Sequence, residues 1–327
     1  MLSAAPESLR SVSPAKDTPV APKLFPSIFL LCCAGMAAKP EIAILGAGNL
    51  GTTLARALHA AGYRITEIIC REGGSQERAR RLAAQVRSRV VVMPQANFAA
   101  KVVWICVPDS NLAASARELA RLAEWKGKIA LHPSGALASD ELQALRRRGA
   151  AVAAAHPMMT FVRRSNPSFA CTPFAVEGDP TAVRVARRMV RDLGGVAFGI
   201  RPRDKVLYHL WGTFASPLLI ALLASAEDVA MAAGVRSQAA ARKRMLPIVQ
   251  QTLRNYGAFG PADAFSGPLV RGDVATVQRH LRALGKLPSA RQVYVALARA
   301  ALDKLPVRNR RQLAKALRAN PRNLDSR

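Results

Sequence analysis

Aromatic residues make up only 5% of this 327-residue chain, and its 21 acidic residues face 48 lysines and arginines, for a formal net charge of +27. Gathered into a patch, such a surplus points to nucleic acid or an anionic membrane. Here it is spread along the chain and is densest in the final run "RNRRQLAKALRAN". Clusters such as Arg146, Arg147 and Arg148, or Arg242, Lys243 and Arg244, fall on the polar faces of helical segments, as solvated surface does. No aromatics interleave with them, so the stacking platform of a single-strand binder is missing and a nucleic-acid partner is not expected. Cysteine is scarce: Cys32, Cys33, Cys70, Cys106 and Cys171 form no C-x-x-C pair. That odd set excludes a disulfide framework and a zinc site, predicts no metal, and fits a reducing, cytoplasmic setting. Cys70 and Cys106 lie in strand-like runs and read as small buried hydrophobes. Long apolar runs are lacking too. The longest, Leu210 to Ala226, falls short of the ~20 residues a membrane helix needs and contains Gly212 and Pro217, so it reads as a core or dimer helix.

Half of the residues are hydrophobic, enough for a sizeable core and two domains. Residues 1–39 are rich in Pro and Ser, with a short apolar piece, "SIFLLCCAGMAA", that follows a long polar lead instead of the basic start of a secretory signal. They read as a disordered leader, and Met36 would serve as a start. From residue 40 the pattern alternates: strand "EIAIL", helix Leu50–Ala61, strand "ITEIIC", helix Gln76–Arg87, strands "VVVM" and "KVVWICV", helix Leu112–Glu124, strand "KIALH". Apolar strands separated by amphipathic helices predict a doubly wound parallel sheet of α/β class, covered on both faces. Strands at "AAVAAA", "FAVEG" and "VAFGI", with a helix from Thr181 to Leu193, extend it to about residue 200. Beyond Arg201 only helices are expected: Lys205–Ala233, Ser237–Tyr256, Val274–Leu284 capped by Asp273, and Ala290–Lys304 capped by Ser289. The chain therefore divides into a leader (1–39), an α/β domain (40–200), a helical domain (201–305) and a basic tail (306–327).

Gly46, Gly48 and Gly51 spell G-x-G-x-x-G between a strand and a helix. The first glycine permits a tight turn, the second lets a pyrophosphate approach the backbone, and the third lets helix and strand pack closely, with the helix N-terminus facing the anion. Asn49 and Leu50 lie in the same turn. About 20 residues further on, where an acid would bind the ribose of NAD, stands Arg71; its guanidinium suits the 2'-phosphate of NADP, and Glu72 beside it keeps NAD open. Val107 and Pro108 end the fourth strand at the sheet's carboxyl edge, and Asp109 or Ser110 would cap the next helix. "HPSGAL" (His132, Ser134, Gly135) and "HPMMTF" (His156, Thr160) end the next two strands toward that edge, where a histidine can move a proton. His156, nearer the junction, is the expected acid or base. Lys205 and His209, at i and i+4, share one face of a helix start. Lys205 there would bind a substrate carboxylate, move a proton, or be a plain surface lysine.

Together "GAGNLG", "VPD", "HPSGAL", "HPMMTF", "DKVLYHLWGTFAS" and "FSGPLVRGDVATVQRHL" make residues 40–305 resemble the bacterial Rossmann-like proteins that carry a helical C-terminal domain of unknown function. That family is related in fold to pyrroline-5-carboxylate reductase and the 6-phosphogluconate dehydrogenase-like enzymes. The resemblance implies an NADP-type oxidoreductase fold with its site between the domains and a helical domain that dimerises. Its motif positions are Ser134, Gly135, His156, Lys205, His209, Gly267, Pro268 and Arg271. The expected function is hydride transfer between NADPH and a small anionic oxo or imino acid. A non-catalytic NADP-binding protein, and a nucleic-acid binder acting through the basic tail, stand as alternatives.

Overall fold

The structure, a computed structural model, describes residues 38–71, 73 and 76–318. The leader up to residue 37, with Cys32, Cys33 and Met36, lies outside the described residues, as do Glu72 and the tail beyond residue 318.

Eight strands form one sheet: β1 (Ile42–Leu45), β2 (Ile65–Cys70), β3 (Arg89–Val92), β4 (Val102–Ile105), β5 (Ile129–His132), β6 (Ala151–Pro157), β7 (Pro173–Gly178) and β8 (Val196–Gly199), in the order β3-β2-β1-β4-β5-β6-β7-β8. The helices α1 (Asn49–Ala60), α2 (Gln76–Gln85), α3 (Asp109–Leu122), α4 (Gln143–Arg146) and α5 (Pro180–Asp192) punctuate it. Along β1, Ile42 and Ile44 join one buried layer with α1, α2 and α5, while Ala43 and Leu45 join the other with α3. Side chains alternate between the faces of a strand, so an unbroken apolar strand is one buried on both sides.

The sheet is parallel, as the sequence leads one to expect, with one exception at its far edge. β7 pairs antiparallel with β6, Ala155 opposite Val176, and β8 follows β7 in parallel. The physical reason is the connection: no helix stands between β6 and β7, and adjacent strands joined without a crossover run antiparallel.

After Gly199 the described chain is helical: α6 (Lys205–Ala215), α7 (Pro217–Ala232), α8 (Gln238–Ala264), α9 (Pro268–Arg271), α10 (Val274–Ala283), α11 (Pro288–Lys304) and α12 (Arg310–Ala316). The single helix expected over Lys205–Ala233 breaks at Ser216, whose φ of −128° and ψ of −80° are not helical and whose successor, Pro217, lacks the N–H that would continue the ladder. Asp273 caps α10, accepting the Thr276 N–H at 2.9 Å. Ser289 does not cap α11, which starts a residue earlier at Pro288 with Leu287 as its cap. Part of the basic tail is structured, because Leu313 and Leu317 of its last turns are buried with Val277, Leu281, Ala298 and Leu302.

The segment Pro202–Ala232 contains an 18-residue window of mean hydropathy 1.6, only 6% of it buried, so by length and composition it is apolar enough to cross a membrane. It is longer than the run read from the sequence and is not a core helix. Trp211, Phe214 and Ile220 are all more than 60% exposed on it, as are Ile248 and Phe259 on α8.

Candidate functional site

The glycine turn follows β1 directly. Gly46 has φ +102°, and a Cβ there would stand 2.3 Å from the Cys106 carbonyl oxygen; a Cβ on Gly51 would stand 2.2 Å from the Gly46 carbonyl oxygen. Both positions need glycine because backbone approaches backbone. Gly48 differs, since a Cβ there meets nothing within 4 Å. That open face, and the lack of any side chain capping α1, leave first-turn N–H groups and open space for an anion, as a dinucleotide requires. Asn49 Nδ2 donates to the Phe161 carbonyl at 3.2 Å, which ties the segment after β6 to this turn. Leu50 packs against the core below. Cys106 lines the turn partly exposed, and burial pushes its thiol up to about 12.

Arg71, just after β2, donates from Nη2 to Ser115 Oγ on α3 at 2.6 Å, and its Nε is buried with no partner. Val107 and Pro108 lie at the end of β4, with Pro108 as the cap residue of α3. Asp109 therefore does not cap that helix. Its Oδ2 accepts the Ser134 hydroxyl at 2.9 Å, and Ser110 is likewise already within the helix.

The two histidine motifs separate in the structure. His132 is fully buried; its Nδ1 accepts the Ser134 N–H at 3.2 Å, so the opposite nitrogen carries the proton and donates to the Ala138 carbonyl, also at 3.2 Å. Burial and the Lys205 charge hold it down to about 3. With both nitrogens taken by the chain beside it, His132 fixes the Ser134–Leu137 turn. His156 is only partly enclosed. Its Nδ1 is 2.8 Å from the Tyr208 hydroxyl of α6, which leaves Nε2 beside Gly135. Burial first, then the charges of Lys205 and His209, hold its pKa down to about 3, so the ring is neutral at neutral pH.

Gly135 is where the two halves of the chain meet. A Cβ on it would lie 2.6 Å from His209 Cδ2 and 2.8 Å from His156 Nε2, and the two imidazole centroids are 6.1 Å apart. Thr160 lies just beyond, in the segment that leads to Phe161. Lys205 is no surface lysine. It is fully buried, with Nζ donating to the Ser134 carbonyl at 3.0 Å and 3.9 Å from Glu177 Oε1. Burial lowers its pKa to about 8, against the pull of Glu177 and Asp109. Gly267 precedes α9 as its cap residue and Pro268 and Arg271 lie within it; α9 packs with α10 and α11, and no bond or ring contact among the described residues joins them to this cluster.

Reading by sequence missed Asp109 as the partner of Ser134, Tyr208 as the holder of His156, and Ser115 and Glu177. Two signals were available. Tyr208 stands three residues after Lys205, on the same helical face. Glu177 is a carboxylate in an apolar strand, and a buried charge demands a partner; it has Ser139, through N at 2.7 Å and Oγ at 2.8 Å.

Residues 34–157 match the family model of a Rossmann-like domain, and residues 172–301 match that of a domain of unknown function, DUF2520. The chain joins a Rossmann-like domain to a DUF2520 domain. The DUF2520 match thus begins with β7, inside the sheet, and ends in α11. No curated protein matches the chain. Among solved structures it is similar to the candidate NADP oxidoreductase BF3122 from Bacteroides fragilis, with 23% identity over 80% of this chain and 97% of that one and a TM-score of 0.69. A reductive aminase from Aspergillus terreus in complex with NADPH and ethyl-5-oxohexanoate shares 15% identity over 82% of this chain and 95% of its own, at a TM-score of 0.61. An imine reductase from Pseudomonas sp. shares 22% over 86% and 100%, at 0.56. These likenesses establish the fold.

Proposed function

We propose that this protein is an NADPH-dependent reductase of a carbonyl or imine carbon in a small oxo or imino acid. The observation that carries the reading is the cluster at Gly135, where His156, His209 and Tyr208 from both domains converge at the same sheet edge as a glycine turn open to a dinucleotide. Resemblance in fold to proteins described as an NADP oxidoreductase, a reductive aminase and an imine reductase supports it.

Gly46, Gly48, Gly51 and the first turn of α1 would hold the pyrophosphate, and Arg71 the 2'-phosphate. The bound dihydronicotinamide supplies the hydride. His156, neutral, would give its Nε2 proton to the substrate heteroatom as Nδ1 takes the proton of the Tyr208 hydroxyl, which is then reprotonated from solvent. Asp109 orients the Ser134 hydroxyl, and His209 borders the reacting group on the helical side. Lys205 holds the Ser134–Gly135 backbone in place from beneath. Because Lys205 is fully buried against Ser134, an anionic group on the substrate would meet cations outside this cluster. A screen of oxo and imino acids for NADPH oxidation by absorbance tests the reading; turnover of none of them, with NADPH bound, would favour a cofactor-binding protein without catalysis.

Cofactor choice has its own test. Charge-assisted bonds contribute roughly 1.5 to 3 kcal/mol each, so NADPH is expected to bind at least about tenfold more tightly than NADH, and Arg71→Ala to abolish the difference. Calorimetry showing equal affinities in the wild-type protein would remove Arg71 from this role.

The apolar faces of α6, α7 and α8 are proposed to be covered by a second copy. Exposed patches of this extent mark an interface in a soluble protein, and an apolar cavity of about 660 Å³ between α7, α10 and α11 adds to the uncovered surface. Light scattering at micromolar concentration should report a dimer. A monomer that partitions into lipid vesicles would overturn this in favour of a membrane contact.

A further inference from the structure

We infer that Ser115 sets cofactor preference by positioning Arg71. The inference rests on the assignment of Arg71 to the 2'-phosphate and goes beyond it, to a buried helix residue outside the motifs that mark the cofactor turn.

Ser115 lies in the second turn of α3 and is fully buried. Its hydroxyl has one proton, and that proton is committed: Oγ donates to the Asn111 carbonyl, one helical turn back, at 2.8 Å. Toward any other group Ser115 can only accept. What it accepts is the Arg71 guanidinium, at 2.6 Å. Arg71 follows β2, one neighbour of β1 in the sheet, and α3 follows β4, the other neighbour. The bond therefore spans the carboxyl end of β1, the strand that leads into the glycine turn. It fixes a side chain whose rotamer freedom is among the largest of any residue.

A guanidinium has five N–H donors in a rigid plane. One is spent on Ser115, and the Nε donor is buried without a partner, so three remain on the two Nη atoms. Since the plane is rigid, anchoring one Nη also sets the direction of the others. An arginine held in this way meets a phosphate without first losing its own rotamer freedom, which is how preorganisation raises affinity. A cofactor with a bare 2'-hydroxyl gains little from it. Ser115 should accordingly affect NADPH and leave NADH nearly untouched.

The experiment measures dissociation constants of NADPH and NADH by calorimetry for the wild type, Arg71→Ala, Ser115→Ala and Ser115→Cys, each checked by its melting midpoint without cofactor. Binding of adenosine 2',5'-bisphosphate against AMP isolates the 2'-phosphate. Ser115→Ala should lower the NADPH preference about three- to tenfold, with NADH affinity and melting unchanged. Ser115→Cys, close in size but a weak acceptor, should fall with it. Preference lost in Arg71→Ala but kept in Ser115→Ala would overturn this inference and leave the Arg71 assignment standing. Equal weakening of both cofactors, or a Ser115→Cys protein that keeps the wild-type ratio while Ser115→Ala loses it, would show packing and overturn it as well. No preference in the wild type would overturn the assignment and the inference together.

Discussion

His156→Asn is expected to cut turnover by about 10²- to 10⁴-fold while leaving NADPH affinity unchanged, the range that a positioned acid or base contributes. The ring stands where a proton is needed, its Nδ1 fixed by Tyr208 and its Nε2 beside Gly135. Asparagine has nearly the same reach but no pair of ring nitrogens through which a proton can pass from Tyr208 to the substrate. Because no hydrogen bond joins His156 to the glycine turn or to Arg71, cofactor binding has no reason to change. Single-turnover hydride transfer beside a cofactor titration measures both quantities. His132→Asn provides the contrast. Its nitrogens serve the backbone of Ser134 and Ala138, so its loss should lower the melting temperature before it lowers the chemical step. Retained turnover in His156→Asn would transfer the role elsewhere, and lost NADPH binding would make the residue structural.

The second large effect separates the first two glycines of the turn. Gly46→Ala is expected to destabilise the protein by about 3 kcal/mol, the scale of a strained left-handed backbone with a clash added. The clash is with the Cys106 carbonyl oxygen, 2.3 Å from the new Cβ, and backbone on neither side can yield cheaply. In a domain of this size that is a fall of roughly 6–12 °C in melting temperature. Gly48→Ala should melt as the wild type does, for its φ of −69° suits alanine and nothing lies within 4 Å. Its methyl group projects into the space left for the pyrophosphate, so NADPH affinity should drop by about tenfold or more, the worth of one or two charge-assisted bonds. Differential scanning calorimetry and a cofactor titration on both variants separate the effects. A Gly48→Ala protein that binds NADPH normally would mean that the turn holds no phosphate.

Lys205 shows how far motif spacing can be read. Its place at the start of α6, four residues before His209, was legible, because a helix repeats every 3.6 residues and both side chains must share a face. Its burial was not. Whether that face looks into water or onto the Ser134 carbonyl depends on a loop 71 residues earlier in the chain, and spacing carries no information about it. The break at Ser216 had a local cue in Pro217, yet a proline at the start of a second helix and one inside a single helix read the same until the backbone is seen.

By itself the sequence determined what is local: the β1–glycine turn–α1 unit, the alternation of buried strands with amphipathic helices, the change to helices near residue 200, and the Asp273 cap. These follow from periodicity, φ preference and nearest-neighbour hydrogen bonds, all of which act within a few residues. Only the tertiary structure decided the reversed direction of β7, the turning of Asp109 from a cap to Ser134, the pairing of His156 with Tyr208 across 52 residues and of Arg71 with Ser115 across 44. Each depends on which side chain is brought within about 3 Å of another by the packing of a whole sheet, and a hydrogen bond is made or lost over a few tenths of an ångström.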